Sequence, residues 1–191
     1  MTGSREKDHE TAWPIVVRTG SPAATKEVAA GVARTCAPGD VVLLIGDLGA
    51  GKTVFAQGFA AALGVEGPVT SPTFTLVRHY RCAGTGAGTA AEGIETLIHA
   101  DLYRTGSLGE VVELALAELV EERAVALIEW GDMAAPAFGE DALDVTLELP
   151  DTAGTDPDER RTITIDGRGS WSRRAGDVAR ALAAPATRRA P

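Results

Sequence analysis

The order of apolar and polar positions along the chain predicts two kinds of strand. Two solid apolar runs, Val41–Ile45 and residues 124–128, contain no polar position. Such runs are expected of strands that are covered on both faces of a parallel sheet. Residues 143–149 and 161–166 instead alternate apolar and polar side chains, which predicts an antiparallel pair with one solvated face. Three further strands are predicted, over residues 13–18, 73–80 and 96–103.

Helical spacing follows three stretches of the chain. Residues 21–36 predict a helix with Ser21 as N-cap and Pro22 in the first turn. Residues 52–63 predict a second helix after a glycine-rich turn, and residues 107–123 a third with glutamates between its apolar positions. Elements of both kinds in alternation predict an α/β domain over residues 13–169. We expect residues 1–12 to be a disordered lead-in and residues 170–191 a flexible tail that can hold a short helix.

The turn between the second predicted strand and its helix carries a phosphate-binding motif. Residues 46–53 match the pattern G-x-x-x-x-G-K-[ST] in full. Glycines permit a tight loop whose backbone N–H groups point at phosphate oxygens, and the helix N-terminus adds positive partial charge. A chance match is the alternative, but the strand before and the helix after disfavour it. The motif predicts that MgATP is bound by Gly46, Asp47, Leu48, Gly49, Ala50, Gly51, Lys52 and Thr53.

A second acid is needed near such a loop to hold Mg²⁺ or its water. Glu129 directly follows the apolar run 124–128, although a solvated acid at a strand end would give the same pattern. Asp101 ends another predicted strand and either faces the same cleft or pairs with Arg104. The segment 70–74, Thr-Ser-Pro-Thr-Phe, is either an ordinary turn or a loop that senses the γ-phosphate.

Composition limits the partners and the location of the protein. A net charge of −9 over 191 residues argues against direct nucleic-acid binding, which needs clustered lysine and arginine. Cys36 and Cys82 lack metal-ligand spacing. His79 and His99 are isolated in the sequence, so we expect each to be a hydrogen-bonded core residue or a surface residue and not a ligand. No apolar run approaches the ~20 residues of a membrane span, and no signal peptide is recognisable. We therefore expect a cytoplasmic protein.

Four motifs in a fixed order make the sequence resemble a known family. They are GDLGAGKT from Gly46, SPTF from Ser71, HADLYR from His99 and IEWG from Ile128. Together they resemble the TsaE family, the ATPase subunit of bacterial tRNA threonylcarbamoyladenosine biosynthesis, over about residues 15–166. The resemblance implies a P-loop NTPase fold, with three layers and a mixed, mainly parallel central sheet.

The resemblance also implies roles for individual residues. Lys52 would bind phosphate, while Thr53 and Glu129 would hold Mg²⁺. Asp101 would support metal binding or hydrolysis, so that it joins Lys52 and Glu129 in the catalytic set. Residues 71–74 would form the nucleotide-responsive loop. Thr25, on the first predicted helix, would lie near the nucleotide base.

The partners implied by the resemblance are the TsaD and TsaB subunits, which transfer a threonylcarbamoyl group to adenosine 37 of tRNA. ATP hydrolysis would reset that complex, and tRNA would be contacted only indirectly. Two other functions stay open: a small-molecule kinase and an ATP-dependent interaction module without hydrolysis. The loop 82–93 has no arginine or lysine for a kinase lid. That loop and the tail after residue 169 depart from the family pattern.

Overall fold

The structure is a computed structural model that describes residues 12–72, 76–83, 88–103, 123–138, 141–149 and 160–184. In that part of the chain, seven strands form one sheet. In chain order the strands are β1 (Ile15–Thr19), β2 (Val41–Ile45), β3 (Val77–Arg81), β4 (Thr96–Asp101), β5 (Ala124–Glu129), β6 (Leu143–Glu148) and β7 (Arg161–Gly167). The helices are α1 (Pro22–Ala33), α2 (Lys52–Ala62), α3 (Gly131–Phe138) and α4 (Ala175–Ala183), and a 3₁₀ turn spans Gly169–Arg173.

The sheet is parallel at its centre and antiparallel at both edges. Its order is β1-β7-β6-β2-β5-β4-β3. Strands β6, β2, β5 and β4 run parallel, whereas β1 and β7 on one side and β3 on the other pair antiparallel. The predicted antiparallel pair, β6 with β7, is confirmed. The carboxyl ends of β2, β4 and β5 therefore meet at one edge of the sheet, the usual place for ligands in open α/β folds.

Helices cover both faces of the sheet, which confirms the predicted three layers. The first core cluster joins α1, α2 and α4 to one face through Val28, Phe55, Phe59 and Val178. The second cluster lies on the opposite face, where α3 packs against β2. Gly131 lets α3 approach this closely, because a Cβ there would lie 2.5 Å from the Leu43 Cβ. Both faces of β2 and β5 are thus buried, which accounts for their unbroken apolar runs.

Local chemistry sets the ends of several elements. Ser21 caps α1 as predicted, since its Oγ accepts a hydrogen bond from the Ala24 N–H at 3.1 Å. Strand β4 stops at Asp101, two residues earlier than predicted, because the Tyr103 N–H donates to the Asp101 Oδ1 at 3.0 Å in a side-chain turn. Strand β3 begins at Val77, and residues 73–75 of the predicted strand lie outside the described residues.

Residues 169–184 pack on the domain, and α4 lies within residues 170–191, the tail that was expected to hold a short helix. Trp171 is fully buried, and the Trp13 Nε1–H donates to its carbonyl oxygen at 3.1 Å. The Arg174 guanidinium lies 3.6 Å from the centroid of the Trp171 ring and pairs with Asp40 at 2.8 Å. These contacts tie the 3₁₀ turn and α4 to the first face of the sheet.

Some predictions fall on residues outside the described part of the chain. These are the lead-in over residues 1–11, residues 107–122 of the helix predicted over 107–123, Arg104 and residues 185–191. Helix α3 was not predicted, and Pro136 inside it breaks the pattern that would indicate a helix. None of the helices in the described segments is long and apolar enough to span a bilayer.

Candidate functional site

The loop between β2 and α2 has the backbone that an anion-binding loop needs. Gly46, Gly49 and Gly51 have φ angles of 143°, 82° and 106°, which L side chains rarely adopt. Gly46 also has no room for a side chain, because a Cβ would lie 2.3 Å from the Leu147 carbonyl oxygen. Gly51 is the N-cap of α2, and as a glycine it has no side chain that could accept hydrogen bonds from the first N–H groups of the helix. The first N–H groups of α2 therefore face the cleft with the positive end of the helix dipole behind them.

Lys52 lies across this loop and is only 5% exposed. Its Nζ donates to the carbonyl oxygens of Gly46 at 2.6 Å and Asp47 at 2.9 Å. Burial lowers the pKa of Lys52 from its usual value, and the carboxylates of Glu129 and Asp101 oppose that shift. The same Nζ lies 3.9 Å from the centroid of the Trp130 ring, within reach of a cation–π interaction. The ammonium group is thus held at the mouth of the loop.

Thr53 and Glu129 meet in the same cleft as Lys52. The Thr53 Oγ1 donates to the Glu129 carboxylate, 3.3 Å from Oε2 and 3.4 Å from Oε1. Hydroxyl and carboxylate oxygens are the hard donors that Mg²⁺ prefers, and Mg²⁺ in phosphate sites commonly takes one or two protein ligands with phosphates and waters. The oxygens of these two residues therefore fit a Mg²⁺ ion.

Asp101 lies beside Glu129 because the two residues are in register on β4 and β5. The Ser71 hydroxyl donates to the Asp101 Oδ2 at 2.6 Å, while Oδ1 accepts from the Tyr103 N–H. Asp101 therefore ties the segment before residue 73 to the end of β4. Residues 73 and 74 of the predicted nucleotide-responsive loop lie outside the described residues.

These groups open into one cleft of about 550 Å³. Two aromatic side chains form part of its wall, with ring centroids of Tyr103 and Trp130 4.7 Å apart. Trp130 has a φ of 62°, unusual for a bulky residue and a common mark of functional sites. The cleft is lined by Leu48, Gly49, Gly51, Lys52, Thr53, Val54, Ser71, Asp101, Tyr103, Glu129 and Trp130.

Thr25 is not among the residues that line this cleft. It is 2% exposed, its Oγ1 lies 3.0 Å from the Thr19 Oγ1, and it donates to the Ser21 carbonyl oxygen at 3.3 Å. In this arrangement Thr25 joins β1 to the start of α1. Its expected place near a nucleotide base stays a prediction.

Two residues that contact the site were missed in the sequence. The His99 Nε2 lies 3.0 Å from the Glu129 Oε1. The Arg161 Nε donates to the Ala50 carbonyl oxygen at 2.9 Å, and its Nη2 to that of Gly49 at 3.3 Å. His99 has a local signal, since it precedes Asp101 by two residues on one strand face. Arg161 has none, because it is 111 residues from Ala50.

Comparison with known proteins agrees with this geometry. A sequence model of the family described as "Threonylcarbamoyl adenosine biosynthesis protein TsaE" matches residues 19–161. The chain belongs to the TsaE family. The tRNA threonylcarbamoyladenosine biosynthesis protein TsaE of Bacillus subtilis is 36% identical over 153 residues, which are 80% of this chain and 85% of the relative. The protein of the same name from Streptomyces coelicolor is 36% identical over 149 residues, 77% of this chain and 93% of the relative.

A solved structure supports the fold assignment of this TsaE chain. The crystal structure of Bacillus subtilis YdiB superimposes with a TM-score of 0.67 and 31% identity, and the match covers 88% of this chain and 95% of YdiB. The predicted family and the α/β P-loop NTPase fold are thereby confirmed. The part of this chain that matches the family model contains the phosphate-binding loop, Asp101 and Glu129, and it ends at Arg161. Trp171 and α4 lie beyond it.

Proposed function

We propose that this TsaE protein binds MgATP in the cleft and hydrolyses it as an accessory subunit of tRNA threonylcarbamoyladenosine biosynthesis. The observation that carries the proposal is the meeting of four groups in one cleft. These are a glycine loop at a helix N-terminus, the Lys52 ammonium, the Thr53 hydroxyl and the Glu129 carboxylate. Each supplies an interaction that a metal-bound triphosphate needs.

Phosphate binding rests on the loop and on Lys52. Nothing lies within 4 Å of a Cβ position on Gly49, so that the outer turn of the loop leaves room for phosphate oxygens. The Lys52 Nζ makes its two hydrogen bonds to carbonyl oxygens of the loop. A phosphate would add a charge-assisted acceptor for this ammonium, and such bonds are about twice as strong as neutral ones.

Metal binding rests on Thr53 and Glu129, with Asp101 beside them. Thr53 and Glu129 would hold the Mg²⁺ ion, whose positive charge would offset the negative charge of the phosphates. Both oxygens of Asp101 accept hydrogen bonds, from Ser71 and Tyr103. This arrangement favours a role for Asp101 in holding the cleft together. The alternative of a module that binds ATP without turnover also stays open, since both Asp101 oxygens already accept hydrogen bonds from the protein.

The proposed partners are the TsaD and TsaB subunits, with tRNA contacted through them in the cytoplasm. The net charge of −9 supports this division, because an acidic surface repels the tRNA backbone. Nucleotide state would control docking through the segment that begins at Ser71. ATP and the partner pair should then raise each other's affinity by the same factor.

The first test is calorimetric titration of MgATP into wild type and Lys52→Ala. The variant loses at least one charge-assisted phosphate contact, so we expect affinity to fall by about 100-fold or more. Lys26→Ala is the matched control, since Lys26 is an exposed lysine on α1. Equal affinity of Lys52→Ala and wild type would contradict the phosphate site.

The second test compares Glu129→Ala with Glu148→Ala, because both glutamates end a strand and Glu148 is exposed. Glu129→Ala should weaken the Mg²⁺ dependence of binding and phosphate release more than it weakens metal-free ATP binding. Glu148→Ala should change neither. An unchanged Mg²⁺ dependence in Glu129→Ala would leave Asp101 as the better metal candidate.

The third test concerns hydrolysis and partners. Phosphate release should be slow for the protein alone and faster with the TsaD–TsaB pair. Titrating that pair into this protein with an ATP analogue, with ADP and without nucleotide measures the coupling factor. Identical partner affinity in all three states would contradict nucleotide-controlled docking, and the absence of phosphate release with partners would favour the non-hydrolysing module.

A further inference from the structure

His99 is a fully buried histidine on β4, and its Nε2 is directed at the proposed metal site. It is 0% exposed and lies opposite Leu127 of β5 in the sheet register. Alternate residues of a strand share a face, so His99 and Asp101 face the same side as Leu127 and Glu129. His99 reaches diagonally to Glu129, and its Nε2 lies 3.0 Å from the Glu129 Oε1.

The hydrogen-bond pattern around the ring defines its tautomer. An ionised carboxylate only accepts hydrogen bonds, so the His99 Nε2 carries the proton and donates it to Oε1. The Nδ1 is buried and has no hydrogen-bond partner among the described residues. A proton on Nδ1 would be an unsatisfied buried donor, which is expensive. A ring that carries a proton at Nε2 and none at Nδ1 therefore fits the site.

The hydrogen bond between His99 and Glu129 restricts the orientation of the Glu129 carboxylate. The Thr53 Oγ1 faces both carboxylate oxygens at 3.3 and 3.4 Å, while His99 approaches Oε1 from within the sheet. A glutamate without such a partner would sample several rotamers and lose conformational entropy when it binds a metal. With His99 in place the carboxylate already points at Thr53.

We propose that His99 is a positioning residue for Mg²⁺, and that its Nε2–H holds the Glu129 carboxylate in the orientation that binds the metal beside Thr53. The inference rests on the proposed function, since it takes Glu129 as a metal ligand. Hydrogen-bond partners behind metal ligands typically contribute 10–100-fold to metal affinity. His99 contributes to Mg²⁺ binding and not to the binding of the phosphates.

The test uses two substitutions that place an amide donor differently. In His99→Gln the amide nitrogen reaches about as far as Nε2, whereas in His99→Asn it reaches only about as far as Nδ1. His79→Asn is the matched control, because His79 is an exposed histidine on the neighbouring strand β3. ATP affinity is measured by calorimetry in EDTA and in saturating Mg²⁺, and their ratio gives the Mg²⁺ enhancement. Mn²⁺ bound with ATP is followed by electron paramagnetic resonance as a direct probe of the metal.

We expect His99→Asn to lower the Mg²⁺ enhancement by about 10–100-fold and to weaken Mn²⁺ binding equally. His99→Gln should stay within a few-fold of wild type, His79→Asn should be unchanged, and all variants should bind metal-free ATP alike. An unchanged enhancement in His99→Asn, or equal losses in both His99 variants, overturns the inference. If His99→Asn does not fold, His99→Gln decides alone, since retention supports the inference and loss overturns it. A wild type without any Mg²⁺ enhancement contradicts the proposed function instead.

Discussion

Arg161 offers the sharpest test of how the phosphate loop is held. In a loop whose N–H groups converge on a ligand, carbonyl groups point outward and need donors of their own. Arg161 at the start of β7 supplies them, with 2.9 Å from its Nε to the Ala50 oxygen and 3.3 Å from its Nη2 to the Gly49 oxygen. We therefore expect Arg161→Met to weaken nucleotide binding without touching a ligand contact.

The magnitude follows from these two hydrogen bonds. Bonds from a charged donor contribute roughly 1.5–3 kcal/mol each in favourable sites, and the partly exposed position of Arg161 reduces this to about 1 kcal/mol each. A loop with three glycines loses much conformational entropy on ordering. In Arg161→Met the loop must become ordered when the nucleotide binds. About 2 kcal/mol of binding free energy is therefore lost, or roughly 30-fold in Kd.

Calorimetric titration of MgATP into Arg161→Met, Arg161→Lys and Arg160→Met measures the effect. Lysine keeps the charge but not the two-pronged geometry, so Arg161→Lys should fall between Arg161→Met and wild type. Arg160 is the exposed neighbour, and its substitution removes the same charge without removing the loop contacts. Unchanged affinity in Arg161→Met would refute the reasoning, and an equal loss in Arg160→Met would reduce the effect to long-range charge.

Three further predictions concern the loop, the C-terminal segment and the thiols. Gly46→Ala should lower the free energy of unfolding in urea by about 2–5 kcal/mol, because a clash with the Leu147 oxygen adds to the strain of a positive φ. In Gly49→Ala the new methyl group meets no atom within 4 Å, so this variant should lose only about 1–2 kcal/mol. A larger loss in Gly49→Ala than in Gly46→Ala would contradict the loop geometry. Trp171→Ala should cost about 3–5 kcal/mol in the same assay, and a loss below about 1 kcal/mol would show that residues after 169 are not part of the folding unit. Burial raises the pKa of Cys82 from 9.0 to about 11, so its alkylation by iodoacetamide at pH 8 should be about 100-fold slower in the folded protein than in urea. Since the folded thiol keeps its proton longer, the free energy of unfolding should fall as the pH rises from 9.0 to about 11.

Features encoded by neighbouring residues could be predicted from the sequence. The strand–loop–helix unit around Lys52 and the acid after an apolar run, Glu129, depend on local patterns and lie where expected in the fold. The N-cap Ser21 is of the same kind. Helix α3 escaped prediction because Pro136 and the glycine at its start resemble loop residues.

Contacts between distant segments could not be predicted, because they depend on strand order and register. The pairing of β4 with β5 brings His99 to Glu129, 30 residues away. The position of β7 beside β6 brings Arg161 to the loop, although β7 is the next-to-last strand of the sheet on that side. Trp171 gave no sign that its segment returns to the core, since one tryptophan in a polar stretch has no periodicity.

The arrangement of charges explains why the proposed nucleotide should enter with its metal. Asp101 and Glu129 lie side by side on parallel strands, and two adjacent carboxylates repel each other. Lys52 offsets this only in part, because it is one cation beside several carboxylates that act on its pKa, including those of Asp47 and Asp132. Metal-free ATP would bring further negative charge to the same place. A divalent cation at Thr53 and Glu129 would relieve both repulsions at once, so that metal and phosphates are expected to bind as a unit, with the parallel register of β4 and β5 setting the geometry for both.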